Sequence, residues 1–235
     1  MKEFLKREWY FYAILAIPFI VACAMWDSFP AQVPIHWGID NKPDNYAPKE
    51  IGIFMGPGFN VLLYLLFIII PKVDSRWANY SLFKKSYTQI RVGMAIFGTV
   101  VSIIVMIAST GLDMNIGKII IFAILGLFAL LGNQMGRVRQ NYFLGIRTPW
   151  TLNSEAVWRA THRVGGRFMF FGAIIAAVVA IFLEDPIWLM SLLFAFIAVG
   201  CLVPVVYSFI IYKKMEKRGE IKPEEQTLID EQLPE

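Results

Sequence analysis

The fold is decided by IGKIIIFAILGLFALLGNQM, from Ile116 to Met135, and by the abrupt change to GRVRQNYFLGIRTPWTLNSEAVWRATHRVGG, from Gly136 to Gly166. The first stretch has 20 residues and a single charged side chain, Lys118, near its beginning. That is the length an α-helix needs to cross a hydrocarbon core of about 30 Å. The second stretch carries five arginines interleaved with aromatic residues, a mixture that suits an anionic membrane surface or an acidic partner.

The composition extends this interpretation to the whole chain, because 57% of its 235 residues are hydrophobic and only 17% are charged. Backbone groups in lipid must be hydrogen-bonded internally, so each long apolar run is predicted to be a helix. The sequence therefore predicts an all-α, polytopic membrane protein with six transmembrane helices. The six runs are Trp9 to Trp26, Ile51 to Ile70, Val92 to Thr110, Ile116 to Met135, Phe168 to Leu183 and Ile187 to Ile211.

Basic residues predict the orientation of the helices. Seventeen of them flank the runs on one side, whereas only Lys42 and Lys49 lie on the other. Positive charge favours the cytoplasmic side, so both termini are predicted to be cytoplasmic. Residues 1–235 then form a single integral membrane domain with an extracytoplasmic loop at 27–50, a cytoplasmic arginine and aromatic loop at 136–166, and a cytoplasmic tail at 212–235. The seventeen are Lys2, Lys6, Arg7, Lys72, Arg76, Lys84, Lys85, the five loop arginines, Lys213, Lys214, Lys217, Arg218 and Lys222.

The first run has an alternative interpretation as a signal peptide, because Ile20 to Cys23 loosely resembles a lipoprotein processing site. Cleavage there would leave five spans and an outside N-terminus, and every later loop would keep its side. Cys23 and Cys201 both lie in apolar runs, where a cysteine acts by default as a small hydrophobe. The net charge of +4 follows the orientation signal, so direct nucleic-acid binding is not predicted.

The cytoplasmic loop contains one set of candidate binding residues. The set combines fork-shaped donors, hydroxyls, an aromatic anchor and one titratable ring, which together can bind a phosphate or a carboxylate: Arg147, Thr148, Trp150, Thr161, His162 and Arg163. The alternative is that the arginines hold lipid phosphates while the tryptophans anchor the membrane interface. Asn153 or Ser154 is predicted to cap a helix that lies along the inner membrane surface, with Trp158 at headgroup depth.

The outer loop contains a second set of candidates in a segment rich in turn residues: His36, Trp37, Asp40 and Asp44. Its alternative interpretation is an interfacial loop anchored by Trp37 and Tyr46. The predicted topology separates His36 from His162, so the two histidines cannot share a metal ion. No HExxH, Walker or GxSxG motif occurs in the chain, and neither a metal nor a cofactor is predicted.

The chain resembles the SdpI-type immunity protein family in NYFLGIRTPWTLNSEAVW, Asn141 to Trp158, and in THRVGGRF, Thr161 to Phe168. A second resemblance, Val33 to Pro57, looks like the extracytoplasmic segment that accompanies this motif in many members, with a departure at Gly38 to Asn41. The resemblance adds Asn141, Pro149 and Trp158 to the inner candidates and assigns no chemistry to any residue.

The resemblance implies a non-enzymatic bacterial plasma-membrane protein that recognises a secreted killing peptide at its outer face. The cytoplasmic loop would contact membrane lipids and signal to a cytosolic transcriptional repressor. One alternative is a membrane enzyme acting on a lipid or phosphate group, with His162 as acid or base and Arg147 or Arg163 on the anion. Another is a small-molecule transporter; the absence of ionisable groups in the middle of the runs argues against its being coupled to protons.

Overall fold

The computed structural model describes residues 8–221, which form seven α-helices, two β-strands and two short 3₁₀ helices. Residues 222–235 of the predicted cytoplasmic tail lie outside the described range, as do Lys2, Lys6, Arg7 and Lys222 from the charge argument. The elements in chain order are α1 (Trp9–Ala24), a 3₁₀ turn (Trp26–Ser28), β1 (Gln32–Trp37), β2 (Pro43–Pro48), α2 (Lys49–Val73), a 3₁₀ helix (Trp77–Phe83), α3 (Lys84–Ser109), α4 (Ile116–Met135), α5 (Pro149–Asn153), α6 (Glu155–Phe182) and α7 (Pro186–Lys217).

The predicted class of membrane fold is confirmed at the level of its long helices. Five helices are long and apolar enough to cross a bilayer, namely α2, α3, α4, α6 and α7. The remaining predicted span, α1, is apolar but has only 16 residues, or about 24 Å at the rise of an α-helix. The protein is therefore a mostly helical, multi-pass membrane protein, while the count of six spans and the cytoplasmic termini stay predictions.

Hydrogen bonds between loops define two ends of the bundle. At the first, the Asn41 side chain bonds the Met114 carbonyl and the Gly117 amide, and Lys118 pairs with Glu184 at 2.8 Å. We call this the hairpin end, because it carries β1 and β2. The opposite end, which we call the arginine end, joins the α2–α3 connection to residues 136–154. There Asn79 donates to the Gln140 carbonyl at 2.7 Å.

The outer loop differs from the prediction, because a purely helical fold with a turn-rich loop was expected. β1 and β2 form an antiparallel hairpin, whose turn is closed by the Gly38 amide donating to the Lys42 carbonyl and by Asn41 in the left-handed region at φ 62°. Val33 is buried against Gly52 of α2. The hairpin is thus stabilised by packing on the helix that follows it, which a short-range pattern does not reveal.

Small residues allow close contacts between the helices. Gly132 of α4 and Gly166 of α6 face each other so closely that a Cβ on Gly166 would lie 2.7 Å from the Gly132 carbonyl oxygen. Asn60 of α2 donates to the Ala95 carbonyl and to the Thr99 hydroxyl of α3, as expected for a polar residue that joins two spans. These contacts fix α4 against α6 and α2 against α3.

A buried ion pair lies just outside two of the predicted runs, at their cytoplasmic borders in the predicted topology. Arg91 lies two turns into α3 and donates to the Glu8 carboxylate at 2.6 Å, with the two side chains 9% and 4% exposed. The Arg91 guanidinium also lies over the rings of Phe11 and Tyr64. α3 begins eight residues before the predicted run, so a residue expected at its border lies inside the bundle.

Candidate functional site

A groove of about 700 Å³ opens at the hairpin end between the hairpin, the beginning of α4 and the beginning of α7. The hairpin contributes residues from Ile35 to Ile39, α4 contributes Ile116, Ile120, Ile121 and Ile124, and α7 contributes Pro186, Leu189, Met190 and Leu193. Most of this lining is aliphatic. The groove therefore suits an apolar or amphipathic ligand better than a small polar one.

Charged side chains also line this groove, from the hairpin and from α4. The His36 Nδ1 atom contacts the Asp44 carboxylate across the hairpin, and both side chains are more than half exposed. From α4, the Lys118 ammonium lies 2.8 Å from the Glu184 carboxylate. The lining thus combines charged groups of both signs with a mostly aliphatic surface, which can orient an amphipathic ligand.

The structure brings together three of the four residues predicted in the outer loop. His36, Trp37 and Asp44 all line the groove. Asp40 does not, because its carboxylate accepts a hydrogen bond from the Lys42 amide in the hairpin turn. The sequence missed the walls that α4 and α7 contribute, because apolar residues in a span carry no signal that distinguishes a groove from a lipid-facing surface.

At the arginine end, Asn141 organises the loop between α4 and α5. Its side chain is fully buried and bonds the carbonyls of Arg139 and Leu144 and the amides of Phe143 and Leu144. With its amide and carbonyl groups thus occupied inside the protein, Asn141 holds the backbone in position. It is not free to bind a ligand in this conformation.

The segment Arg147 to Trp150 fixes the loop to the last helix. Thr148 caps α5 by a reciprocal bond with Thr151, and its hydroxyl lies 3.0 Å from the Ser208 hydroxyl of α7. Pro149 occupies the first turn of α5, and the Trp150 ring packs on Phe209 with centroids 5.0 Å apart. The Arg147 guanidinium is exposed and donates to the Tyr142 carbonyl.

His162 is a structural residue in this geometry. Its Nε2 atom accepts from the Ile146 amide at 2.9 Å, and its Nδ1 atom lies 2.8 Å from the Trp158 carbonyl. These bonds correspond to the neutral tautomer with the proton on Nδ1. The ring is fully buried and stacks on Trp158 at 3.9 Å, so it presents no edge to a substrate as acid or base.

The expected surface helix with Trp158 at headgroup depth is wrong. Ser154 caps the helix as predicted, but α6 continues from Glu155 to Phe182 without interruption and carries the segment directly into the bundle. Trp158 is fully buried and its indole donates to the Val138 carbonyl at 2.9 Å. Thr161 is fully buried as well, whereas Arg163 is exposed.

Two polar residues outside the predicted set help to hold the inner loop. Asp74, which is 2% exposed, accepts from the Tyr80 hydroxyl and from the Tyr142 amide. Gln140 donates to the carbonyls of Thr151 and Leu152. An acid directly after a long apolar run is unusual enough in sequence to have singled out Asp74 as a structural anchor. Within residues 8–221, no group of three or more His, Cys, Asp or Glu side chains is arranged to hold a metal ion.

The fold and its two ends define a class: a multi-pass helical membrane protein with a β-hairpin at one end and a buried, motif-bearing loop at the other. Residues 137–208 match the SdpI/YfhL protein family, and residues 13–61 match a domain of unknown function, DUF1648. The chain is 28% identical over 203 residues to Immunity protein SdpI of Bacillus subtilis (strain 168), a match covering 86% of this chain and 94% of that protein. The predicted resemblance to the SdpI-type family is thereby confirmed. No solved structure matches the chain.

Proposed function

We propose that this protein is an immunity protein of the bacterial cell membrane that captures a secreted killing peptide in the groove at the hairpin end. The observation that carries the proposal is the groove itself, about 700 Å³ of mostly aliphatic surface with a few charged side chains in its lining. A peptide that attacks a membrane must present apolar side chains, and such side chains are stabilised by burial in a groove of this kind.

The orientation of the charges supports the same proposal. Among the basic residues that flank the apolar runs, two lie on the side of the hairpin, Lys42 and Lys49, whereas seventeen lie on the other side. The positive-inside rule therefore favours the outer face for the groove, where a secreted peptide arrives. The match to Immunity protein SdpI extends over most of both chains, so it includes the residues that line this groove.

The arginine end is the proposed cytoplasmic face, and its contacts favour a binding role over catalysis. Four of the predicted inner residues, Asn141, Trp158, Thr161 and His162, are fully buried. Only the accessible ones, Arg147, Pro149, Trp150 and Arg163, can meet a lipid or a cytosolic repressor. The buried set maintains the shape of the surface from which those side chains project.

The test uses Bacillus subtilis cells that lack Immunity protein SdpI and express this chain, mixed with wild-type cells of strain 168. Survival is counted beside the abundance of each variant in the membrane. Trp37→Ala and Asp44→Asn are expected to abolish protection at normal abundance, because both residues line the groove. Tyr46→Ala is the matched control, since Tyr46 lies on the paired strand, is 52% exposed and does not line the groove. Protection by both groove variants would contradict the proposal.

A further inference from the structure

A basic cleft of about 880 Å³ lies at the arginine end, between the beginning of α3, the end of α4 and the beginning of α6. Six cationic side chains from these three helices and the adjoining loop line it, together with small polar residues: Lys84, Lys85, Arg137, Arg139, Arg159 and Arg163. Residues distant in sequence thus bring their charges to one cavity. The peptide groove at the other end of the bundle shares no residue with this cleft.

The cleft carries a large excess of positive charge. Glu155 pairs with Arg159 at 2.6 Å and approaches Arg139 at 3.8 Å. Across residues 8–221, no carboxylate lies within 4.0 Å of the other four cations, which are Lys84, Lys85, Arg137 and Arg163. Like charges held this close repel one another, and a bound anion relieves that repulsion. Phosphate groups suit the guanidinium fork in particular.

The cleft adjoins a second groove on α6, one of the helices long and apolar enough to cross a membrane. A second cavity of about 350 Å³ shares Arg137 and Arg163 with the basic cleft and continues along α6 past Arg167 to Phe170 and Phe171. Arg163, Arg167 and Phe171 are spaced by four residues, so they lie on one face of the helix. Phe171 is 59% exposed, and the tight contact between α4 and α6 forms the floor of the groove, at Gly132 and Gly166.

We propose that this continuous surface is a binding site for an anionic phospholipid of the inner leaflet. The phosphate and headgroup occupy the basic cleft, and an acyl chain lies in the groove beside Phe170 and Phe171. A soluble acidic segment of another protein would satisfy the cations but would leave the aromatic surface at Phe170 and Phe171 uncovered. The joining of a cationic cleft to this aromatic surface on a membrane-spanning helix therefore favours a lipid.

The test measures lipid binding to the purified full-length protein by native mass spectrometry. Phosphatidylglycerol and phosphatidylcholine with identical acyl chains are titrated separately. The first phosphatidylglycerol is expected to bind at least about tenfold more tightly than phosphatidylcholine, a difference typical of two or more charge contacts. Lys85→Gln combined with Arg163→Gln is expected to weaken the binding of phosphatidylglycerol roughly thirtyfold, because each charge removed lowers the affinity a little more than about fivefold.

The matched control is Lys214→Gln combined with Lys217→Gln, which removes two basic residues from the last turn of α7, outside the cleft. It is expected to change the affinity less than about twofold. Lys85 and Arg163 are exposed, and an unchanged melting temperature of the double variant verifies that it folds. Equal losses in the two double variants would overturn the site, because they would indicate unspecific attraction to the membrane.

Three further outcomes would also overturn the proposal. Displacement of the lipid by millimolar inorganic phosphate would assign the cleft to a free anion. Tighter binding of a soluble glutamate-rich peptide than of phosphatidylglycerol would assign it to an acidic protein segment. If lipid binds only to a chain that ends at residue 221, the cleft of the full-length protein would be assigned to the acidic residues at the C-terminus of this chain.

Discussion

The ion pair between Glu8 and Arg91 supports a quantitative prediction about stability. Replacing Arg91 with Met removes the guanidinium that lies 2.6 Å from the carboxylate. Glu8, which is 3% exposed in the intact protein, then keeps the Tyr64 hydroxyl at 3.5 Å as its one remaining side-chain partner in the described part of the chain. Breaking a buried pair by removing one partner costs about 3 to 5 kcal/mol of the free energy of unfolding. We expect the free energy of unfolding of the Arg91→Met variant to fall by that amount.

The double variant Glu8→Leu with Arg91→Met distinguishes the effect of an unpaired buried charge from the effect of altered side-chain packing. Replacing both partners by apolar side chains is often neutral, so the double variant is expected to recover most of the loss. The measurement is the fraction unfolded in mixed micelles as denaturing detergent is titrated, for both single variants and the double variant.

An exposed pair supplies the control for this measurement. Lys213 lies 2.7 Å from Glu216, and the Lys213 side chain is half exposed, so Lys213→Gln is expected to leave the free energy of unfolding nearly unchanged. A loss below about 1 kcal/mol in Arg91→Met, or a double variant no better than that single variant, would refute the account of a buried charge compensated by its partner.

Three further predictions concern orientation, packing and the role of the histidine. With Cys23 and Cys201 replaced, a cysteine at Asn45 is expected to react with an impermeant reagent in intact cells and one at Asn153 is not; labelling of both positions would overturn the orientation. Gly166→Ala is expected to cost about 1 to 3 kcal/mol, because its Cβ would lie 2.7 Å from a backbone oxygen, whereas Gly126→Ala meets open space and is expected to be neutral or stabilising. Equal melting temperatures would contradict this. His162→Gln, compared at matched membrane abundance, is expected to retain protection, because the ring is enclosed by protein; complete loss with normal abundance would favour the enzyme.

The apolar spans were predictable because lipid imposes one strong constraint on the backbone. Runs of about 20 apolar residues must be helical there, and five of the predicted runs lie in long apolar helices. Their ends were less predictable. α3 begins at Lys84 and not at Val92, and α6 begins at Glu155 and not at Phe168, since polar residues continue a helix wherever the protein buries or solvates them.

The sequence was sufficient to locate the segments that carry the candidate sites, but not to predict which of their residues are exposed. The motif around Asn141 and His162 was found, yet both residues are buried supports, because dense hydrogen bonding inside a loop leaves the same residue types in the sequence as a binding site does. The pairing of Glu8 with Arg91 joins residues 83 positions apart. Neither that pair nor the groove that the hairpin and α7 line together has a local signal in the sequence.

The central claim is that the groove at the hairpin end captures the killing peptide, and in-cell photocrosslinking tests it most directly. A photoreactive residue replaces Ile39, which lines the groove and is 64% exposed, or Trp150 at the arginine end, and the cells are exposed to culture fluid of Bacillus subtilis strain 168. The account predicts a peptide adduct at position 39 and none at position 150. An adduct at position 150 alone, or none at position 39 in cells that remain protected, would contradict it.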